Sequence, residues 1–235
     1  MKSIAIIPAR GGSKRIPRKN IKDFLGMPII AYSIKAALES GVFDEVMVST
    51  DDEEIAEVAR QYGASVPFFR SEKTSNDFAS TADVINEVLD IYASNNQYFD
   101  IIACIYATAP FLTPQTISKG IEEITRNGYS AAFTMVEFSY PILRSMIIDK
   151  KGCVEMKWPE YKYSRSQDLP KFYHDAGQYY IAKTDVFKQQ NAFCGENTAP
   201  IVLSELAVQD LDTETDWKIA EIKYSFLHLS EKDSL

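Results

Sequence analysis

The chain has 235 residues, 46% of them hydrophobic, which allows one large α/β domain with a well-buried core. Asp and Glu number 33 against 25 Lys and Arg, a formal net charge of −8, and this disfavours general nucleic-acid binding, which needs a broad basic face. Cys104, Cys153 and Cys194 stand apart without C-x-x-C spacing, which argues against a disulfide framework or a zinc site. Met1 leads straight into an apolar stretch with no signal-peptide pattern, and no apolar run reaches the length of a membrane span. A cytoplasmic protein with no membrane partner is expected.

Ile4 to Ile7, followed by Pro8, reads as a buried strand of a parallel sheet. The loop behind it holds Ala9, Gly11, Gly12, Ser13 and Asn20, together with the cations Arg10, Lys14, Arg15, Arg18 and Lys19. Glycines let a backbone approach a ligand closely, and successive N–H groups with fixed cations suit an anion. In an acidic chain this points to a phosphate cradle; the plainer reading is an exposed basic turn. The spacing is not G-x-x-x-x-G-K-[ST]. It is not G-x-G-x-x-G either, which counts against a dinucleotide-dependent dehydrogenase.

Helical spacing runs from Pro28 to a stop at Gly41. Residues 45–50 read as a second strand, and Asp51 with Glu54 as the capping box of a helix that Gly63 closes. Residues 65–69 read as a third strand that delivers Arg70. Strand, loop, helix, strand, helix, strand is a parallel βαβαβ pattern, whose ligands bind beyond the carboxyl ends of the strands. Arg10 and Arg70 both follow strands.

Residues 71–80 read as a loop, and Ser80 or Thr81 as the cap of a helix to about 94. Residues 100–106 form another buried strand, ending at Tyr106. Thr113 and Pro114 start a helix that ends at Gly128, and residues 130–136 are a further strand. Over residues 137–173 tyrosines, prolines and charges interrupt short apolar pieces. This is an inserted arm: either an oligomer surface or a long loop packed on its own protomer. Residues 178–182 return as a strand, and 200–203 and 206–212 as extended pieces. Thr213 and Asp216 cap a last helix to about 224, and the tail 230–235 is expected to fray.

Asp210-Leu211-Asp212 is the second constellation. Residues two apart on an extended chain face the same way, and two carboxylates there suit a hard cation such as Mg²⁺. The alternative is an exposed Asp210 and an Asp212 that belongs to the Thr213 turn. Arg165 could clamp a carboxylate, or could be a surface arginine. His174 could serve as a base or only as a hydrogen-bonding residue. His228 lies close to the tail, and Cys104 sits in an apolar strand as core.

Taken together, residues 7–20, Val48 to Asp51, Phe69-Arg70, Ala107 to Pro110 and Val208 to Thr213 resemble the sialic acid cytidylyltransferases, the CMP-nonulosonate synthetases. The likeness covers nearly the whole chain. It implies a Rossmann-like nucleotide-diphospho-sugar transferase fold, a mostly parallel sheet with helices on both faces, as one domain over 1–235 with an inserted dimerisation arm at about 137–173. It implies transfer of CMP from CTP to a nine-carbon 2-keto sugar acid with Mg²⁺, by a homodimer.

Carried over, Ala9, Arg10, Gly11, Gly12, Ser13, Lys14, Lys19, Asn20, Arg70 and Ser80 match nucleotide-side positions. Arg10, Lys14, Lys19 and Asp210 are the expected catalytic group, and Asp210 and Asp212 the metal pair. Tyr106, Arg165, His174, Gln178 and Tyr180 match the sugar side. The chain departs from the N-acetylneuraminate type at Tyr106, where a glutamine is usual, and at His174-Asp175-Ala176-Gly177-Gln178. That run resembles the family's pseudaminic acid branch, so pseudaminic acid is the first expected substrate. N-acetylneuraminic or legionaminic acid is the alternative, a kdo transferase is more remote, and a non-catalytic nucleotide-binding protein is the reading from another class.

Overall fold

The structure, a computed structural model, describes residues 1–232, with side chains described through His228. The six-residue strand β1 (Ser3–Pro8) is almost wholly buried. A tight hairpin of β2 (Asp23–Phe24) and β3 (Met27–Pro28) turns on Leu25 and Gly26, both at positive φ, and feeds α1 (Ile29–Glu39). Next come β4 (Glu45–Ser49), α2 (Glu53–Gln61), the one-turn α3 (Glu72–Ser75) and α4 (Thr81–Ser94). Then follow β5 (Ile101–Ile105), α5 (Pro114–Thr125) and β6 (Ala131–Glu137). The arm carries a small antiparallel hairpin, β7 (Met146–Ile148) and β8 (Val154–Met156). The chain closes with β9 (Tyr173–Lys183), α6 (Thr184–Gln190), β10 (Thr198–Leu203) and α7 (Glu214–Lys232).

The main sheet runs β10-β6-β9-β5-β1-β4. Only β9 is antiparallel to its neighbours; the other pairings are parallel. Alternation along β1 sends Ala5 and Ile7 to a core under α1, α2 and α5. Ile4 and Ile6 go to a second core with Val88, Leu89 and Tyr92 of α4 and Phe187 of α6. A sheet buried on both faces reads as continuous apolar runs, as β1 and β5 do. A third cluster packs Ile16, Phe24, Tyr32, Phe111, Leu211 and Trp217. Its edge-on aromatic pairs, such as Phe24–Trp217 at 5.6 Å and Tyr32–Tyr224 at 5.3 Å, each add about 0.5–1.5 kcal/mol beyond area burial and hold α7 against β2 and α1.

Four expectations need correction. Residues 65–69 form no third strand. Ser65 bridges Met47, but Pro67 has no N–H to continue the ladder, and pairing resumes only where Arg70 N–H donates to the Thr50 carbonyl. Asp52, not Asp51, caps α2, accepting from Ile55 N–H at 3.0 Å. Helix α6 is unforeseen, because its seven residues hold only Val186 and Phe187 as apolar positions, too few to show a period. Helix α7 continues past Tyr224 to Lys232, and the remainder of the tail expected to fray, 233–235, lies outside the described residues.

Strand β9 starts at Tyr173, five residues before the expected 178, because Tyr173, His174 and Asp175 pair with Glu137, Val136 and Met135 of β6; most other boundaries agree within about three residues. Ser80 makes a full capping box with Asp83 at the start of α4. Thr113 caps α5 with Pro114 in its first turn. Residues 206–212 are extended in part but pair with no strand, and a turn of 3₁₀ helix, Glu205–Ala207, opens the segment.

Candidate active site

Strand β1 lies between β4 and β5, so the carboxyl ends of three parallel strands meet. The cationic loop starts there. Ala9 N–H donates to the Ser49 carbonyl at 2.9 Å, and the buried Asn20 closes the loop by donating Nδ2 to the Arg10 carbonyl at 2.9 Å. Gly11 N–H donates to Asp51 Oδ1 at 2.9 Å. A Cβ on Gly11 would stand 2.7 Å from Asp52 Oδ2, so the close approach needs a glycine. Arg18 sits at φ 54, in the left-handed region, and its guanidinium pairs with Asp52, at 2.8 Å for one contact, and with Glu54. That pairing holds the Asp52 carboxyl below the usual carboxylate range. Ile16, in the middle of the loop, is buried in the third cluster.

These constraints shape a cleft of about 450 Å³. Arg10, Ser13, Lys14, Lys19 and Asn20 line it from the loop, and Arg70, Ser80 and Tyr106 from the opposite side. Ala9, Gly11 and Gly12 form the loop's backbone without lining the cleft. Arg70 is buried, with Nη2 donating to the Ser49 carbonyl at 2.7 Å and Nε to Ser49 Oγ at 3.2 Å. Its burial pulls the guanidinium pKa down, against the opposing pull of Asp51 and Glu87. Arg10 Nη1 lies 2.6 Å from Asp77 Oδ1, and Lys14 pairs with the other oxygen of the same carboxylate. The hydrogen bonds from Lys14 and then Arg10 hold the Asp77 carboxyl below its ordinary value.

The acidic pair reaches the same edge through its backbone. Leu211 is 1% exposed and packs in the third cluster, which leaves Asp210 and Asp212 on the outward side. Lys19 Nζ donates to the Leu211 carbonyl at 2.8 Å, and Arg15 pairs with Asp212 at 2.5 Å. Burial lowers the Lys19 pKa; Asp212 and Asp210 oppose the shift. Among the described residues no group of three or more His, Cys, Asp or Glu could hold a metal ion. Two carboxylates beside a phosphate-type loop fit Mg²⁺, which takes one or two protein carboxylates and completes its shell with water and substrate phosphates.

The residues assigned to the sugar side are divided. Tyr106 lines the cleft and meets Tyr180 edge-on, with centroids 5.5 Å apart. Tyr180 stacks on Phe133 and donates its hydroxyl to Asp175. Burial raises the pKa of both phenols, so they act as neutral hydrogen-bonding groups. Gln178 is buried, with Nε2 donating to the Ala207 carbonyl at 2.7 Å and Oε1 without a partner. His174 packs on Phe138 at 4.6 Å and lines a neighbouring pocket with Glu205, Asp210 and Lys223. Arg165 projects from the arm, 72% exposed, and pairs with its own neighbour Asp168. The chain thus brings Arg10, Ser13, Lys14, Lys19, Asn20, Arg70, Ser80 and Tyr106 to one cleft, while Asp210, Asp212, Arg165, His174, Gln178 and Tyr180 do not line it.

Sequence reasoning missed Asp77. Asp77 lies in a polar stretch with no period, and only its structural partners single it out. His174-Asp175 reads from the sequence as a possible polar pair, but His174 Nδ1 meets only the Asp175 backbone carbonyl, and the Asp175 carboxylate accepts from the Tyr180 hydroxyl instead.

A parallel sheet with a cationic glycine loop and paired carboxylates at one carboxyl edge defines a nucleotide-binding α/β protein. The family profile described as Cytidylyltransferase matches residues 4–219. The pseudaminic acid cytidylyltransferase of Campylobacter jejuni subsp. jejuni is 45% identical over 98% of this chain and 99% of that protein. The CMP-N,N'-diacetyllegionaminic acid synthase of Legionella pneumophila subsp. pneumophila is 37% identical over 94% of this chain and 95% of that protein. Among solved structures, a CMP:2-keto-3-deoxy-manno-octonic acid synthetase complexed with CTP superposes with a TM-score of 0.67 at 18% identity, over 96% of this chain and 99% of that one, and shares the fold. The chain belongs to the cytidylyltransferase family.

Proposed function

We propose that the chain transfers CMP from CTP to the anomeric hydroxyl of a nonulosonic acid, with pseudaminic acid as the substrate, and releases pyrophosphate. The observation that carries this is that Lys19 and Arg15, which line the cleft, tie the Asp210–Asp212 segment beside it, Lys19 through the Leu211 carbonyl and Arg15 through the Asp212 carboxylate. The sugar assignment is supported by the high identity to the Campylobacter pseudaminic acid enzyme over nearly the full length of both chains. Legionaminic or N-acetylneuraminic acid is the second reading, supported by the Legionella relative.

In the proposed reaction an O–P bond forms between the anomeric oxygen and the α-phosphorus, the bond from that phosphorus to the pyrophosphate oxygen breaks, and the hydroxyl proton passes to solvent. Such a transfer depends on positioning and charge neutralisation more than on covalent help. Arg10, Lys14 and the N–H groups around Ser13 hold the triphosphate. Arg70 stands as a buried cation on the opposite wall. Lys19 and Asn20 keep the loop and the acidic segment in register. Asp210 and Asp212 are the residues that would hold Mg²⁺, which supplies charge neutralisation to the phosphate oxygens. Tyr106 and Tyr180 face the sugar as neutral phenols.

The arm supports a homodimer as the working form. Its hairpin exposes Met146, Ile148 and Val154, and Tyr140 and Tyr163 lie exposed on the same insertion, an aromatic-rich composition suited to an interface. A partner's arm would bring a cation such as Arg165 toward the sugar side.

The test is pyrophosphate release with CTP, Mg²⁺ and a panel of pseudaminic, legionaminic and N-acetylneuraminic acids and kdo. Release with pseudaminic acid alone is expected. Release with another sugar would replace the substrate, and CTP binding without release from any sugar would leave a nucleotide-binding protein.

A further inference from the structure

The segment that carries Asp210 and Asp212 has no strand partner, yet four of its backbone carbonyls are held by side chains from three separate parts of the chain. Lys223 Nζ, from α7, donates to the Val208 carbonyl at 2.9 Å and the Glu205 carbonyl at 3.2 Å. Gln178 Nε2, from β9, donates to the Ala207 carbonyl at 2.7 Å. Lys19 Nζ, from the cationic loop, donates to the Leu211 carbonyl at 2.8 Å. The segment's other anchor is Leu211, sunk in the third cluster. We infer that Gln178 and Lys223 are positioning residues that set where the Asp210 and Asp212 carboxylates stand, by gripping the backbone just upstream of them. This rests on the proposed role of that carboxylate pair.

The chemistry favours such a grip. An extended segment outside a sheet leaves its carbonyls to water or to side chains, and its position is then only as fixed as those partners. A lysine ammonium offers three donors and can bridge two carbonyls, as Lys223 does. Hydrogen bonds from a charged donor are about twice as strong as neutral ones. Gln178 is 3% exposed, so its amide is committed to Ala207 without competition from solvent. It sits on β9, which pairs with both β5 and β6, and so refers the segment to the middle of the sheet. Lys223 refers it to α7, which the aromatic cluster holds against β2 and α1. The buried amide thus has a function distinct from touching the sugar: it faces the backbone of the acidic segment.

The test compares Lys223→Met, Lys223→Arg and Gln178→Leu in the full chain, by two readouts. The first is amide hydrogen exchange over residues 205–213, measured without nucleotide or metal. The second is the Mg²⁺ concentration giving half-maximal pyrophosphate release at saturating CTP. Lys223→Met and Gln178→Leu are each expected to speed exchange in this segment about tenfold and to raise the Mg²⁺ requirement about tenfold, with exchange in β1 and β5 unchanged. Lys223→Arg, which keeps several donors, is expected to stay near the unaltered chain in both. Unchanged exchange and an unchanged Mg²⁺ requirement, even with a lower Tm, would overturn the inference. A rise in sugar KM alone for Gln178→Leu would return that residue to the sugar side and overturn its part. Should Lys223→Met fail to fold, Lys223→Gln is read the same way. Absence of release from the unaltered chain would count against the proposed function, and the exchange measurement would still decide the grip.

Discussion

The nucleotide end and the arm of this molecule are built by opposite rules. At the cationic loop, residues are tied to several separate elements: Ala9 to β4, Gly11 to Asp51, Arg18 to the cap of α2, and Lys19 to the acidic segment. In the arm, apart from its base, where Ser139 Oγ donates to Glu205 Oε1 at 2.7 Å and Lys171 pairs with Glu137, ties are local. Arg165 pairs with Asp168 three residues on, and Asp149 accepts from Lys151 and Cys153 N–H groups within its own turn. A site tied to many elements is preorganised within one chain. A segment tied to itself keeps its shape but not its bearing on the rest of the molecule, and its side chains are free to serve another surface.

The sharpest way to break this comparison is Lys14→Met. The Lys14 side chain is 76% exposed, so the variant is expected to keep its Tm while kcat/KM for CTP falls on the order of 10²–10³-fold. A fall of less than threefold would remove Lys14 from the triphosphate. Arg165→Ala should act on the other substrate, raising sugar KM by about tenfold and leaving CTP KM within twofold. If CTP KM rises in step, the division between the two regions fails.

Gly11→Ala probes how tightly the loop is packed. Its Cβ would meet an Asp52 carboxylate already held by Arg18 and Ile55 N–H, so a loss of about 1–3 kcal/mol in thermal or denaturant unfolding is expected. Unchanged stability would mean that the loop yields easily and is not preorganised.

A pH profile sharpens the picture further. The Lys19 pKa is lowered by burial, and its cation is the form that attracts phosphate and the Asp210–Asp212 pair. CTP affinity should therefore fall as pH rises, and do so earlier than for an ordinary lysine. Lys19→Arg should shift this alkaline limb upward, since arginine keeps its proton. An identical limb in the variant would assign the titration to another group. The smallest effect on the protomer is expected in the arm. Ile148→Lys with Val154→Lys should move stability by less than about 0.5 kcal/mol while shifting mass, by light scattering, from dimer to monomer. A dimer that persists would free the hairpin from that role.

The elements with strong local signals were legible. Ser80 with Asp83 and Thr113 with Pro114 cap helices where short-range rules place them, and the apolar runs of β1 and β5 are buried as their composition indicates. What escaped depends on distant partners. The direction of β9 follows from its insertion between β5 and β6, which no residue in its own eleven positions records. The missing strand at 65–69 turned on one absent N–H at Pro67. Arg10 and Arg70 converge as expected, but Arg70 does so through its own N–H and guanidinium bonds to Thr50 and Ser49 and not from the end of a strand. Gln178 was assigned by resemblance to the sugar, and only the fold reveals the carbonyl its amide meets.

Asp77 gives the cationic loop a counter-ion of its own. Any anion that occupies Arg10 and Lys14 must first replace that carboxylate, so ligand capture there is an ion exchange and not a simple attraction. The gain from such an exchange grows with the charge the newcomer brings beyond a single carboxylate. A monophosphate gains little by it, whereas a triphosphate wins on valence and on the number of oxygens it presents. With CTP bound as proposed, the loop would rank nucleotides by charge number before the base or the sugar is read.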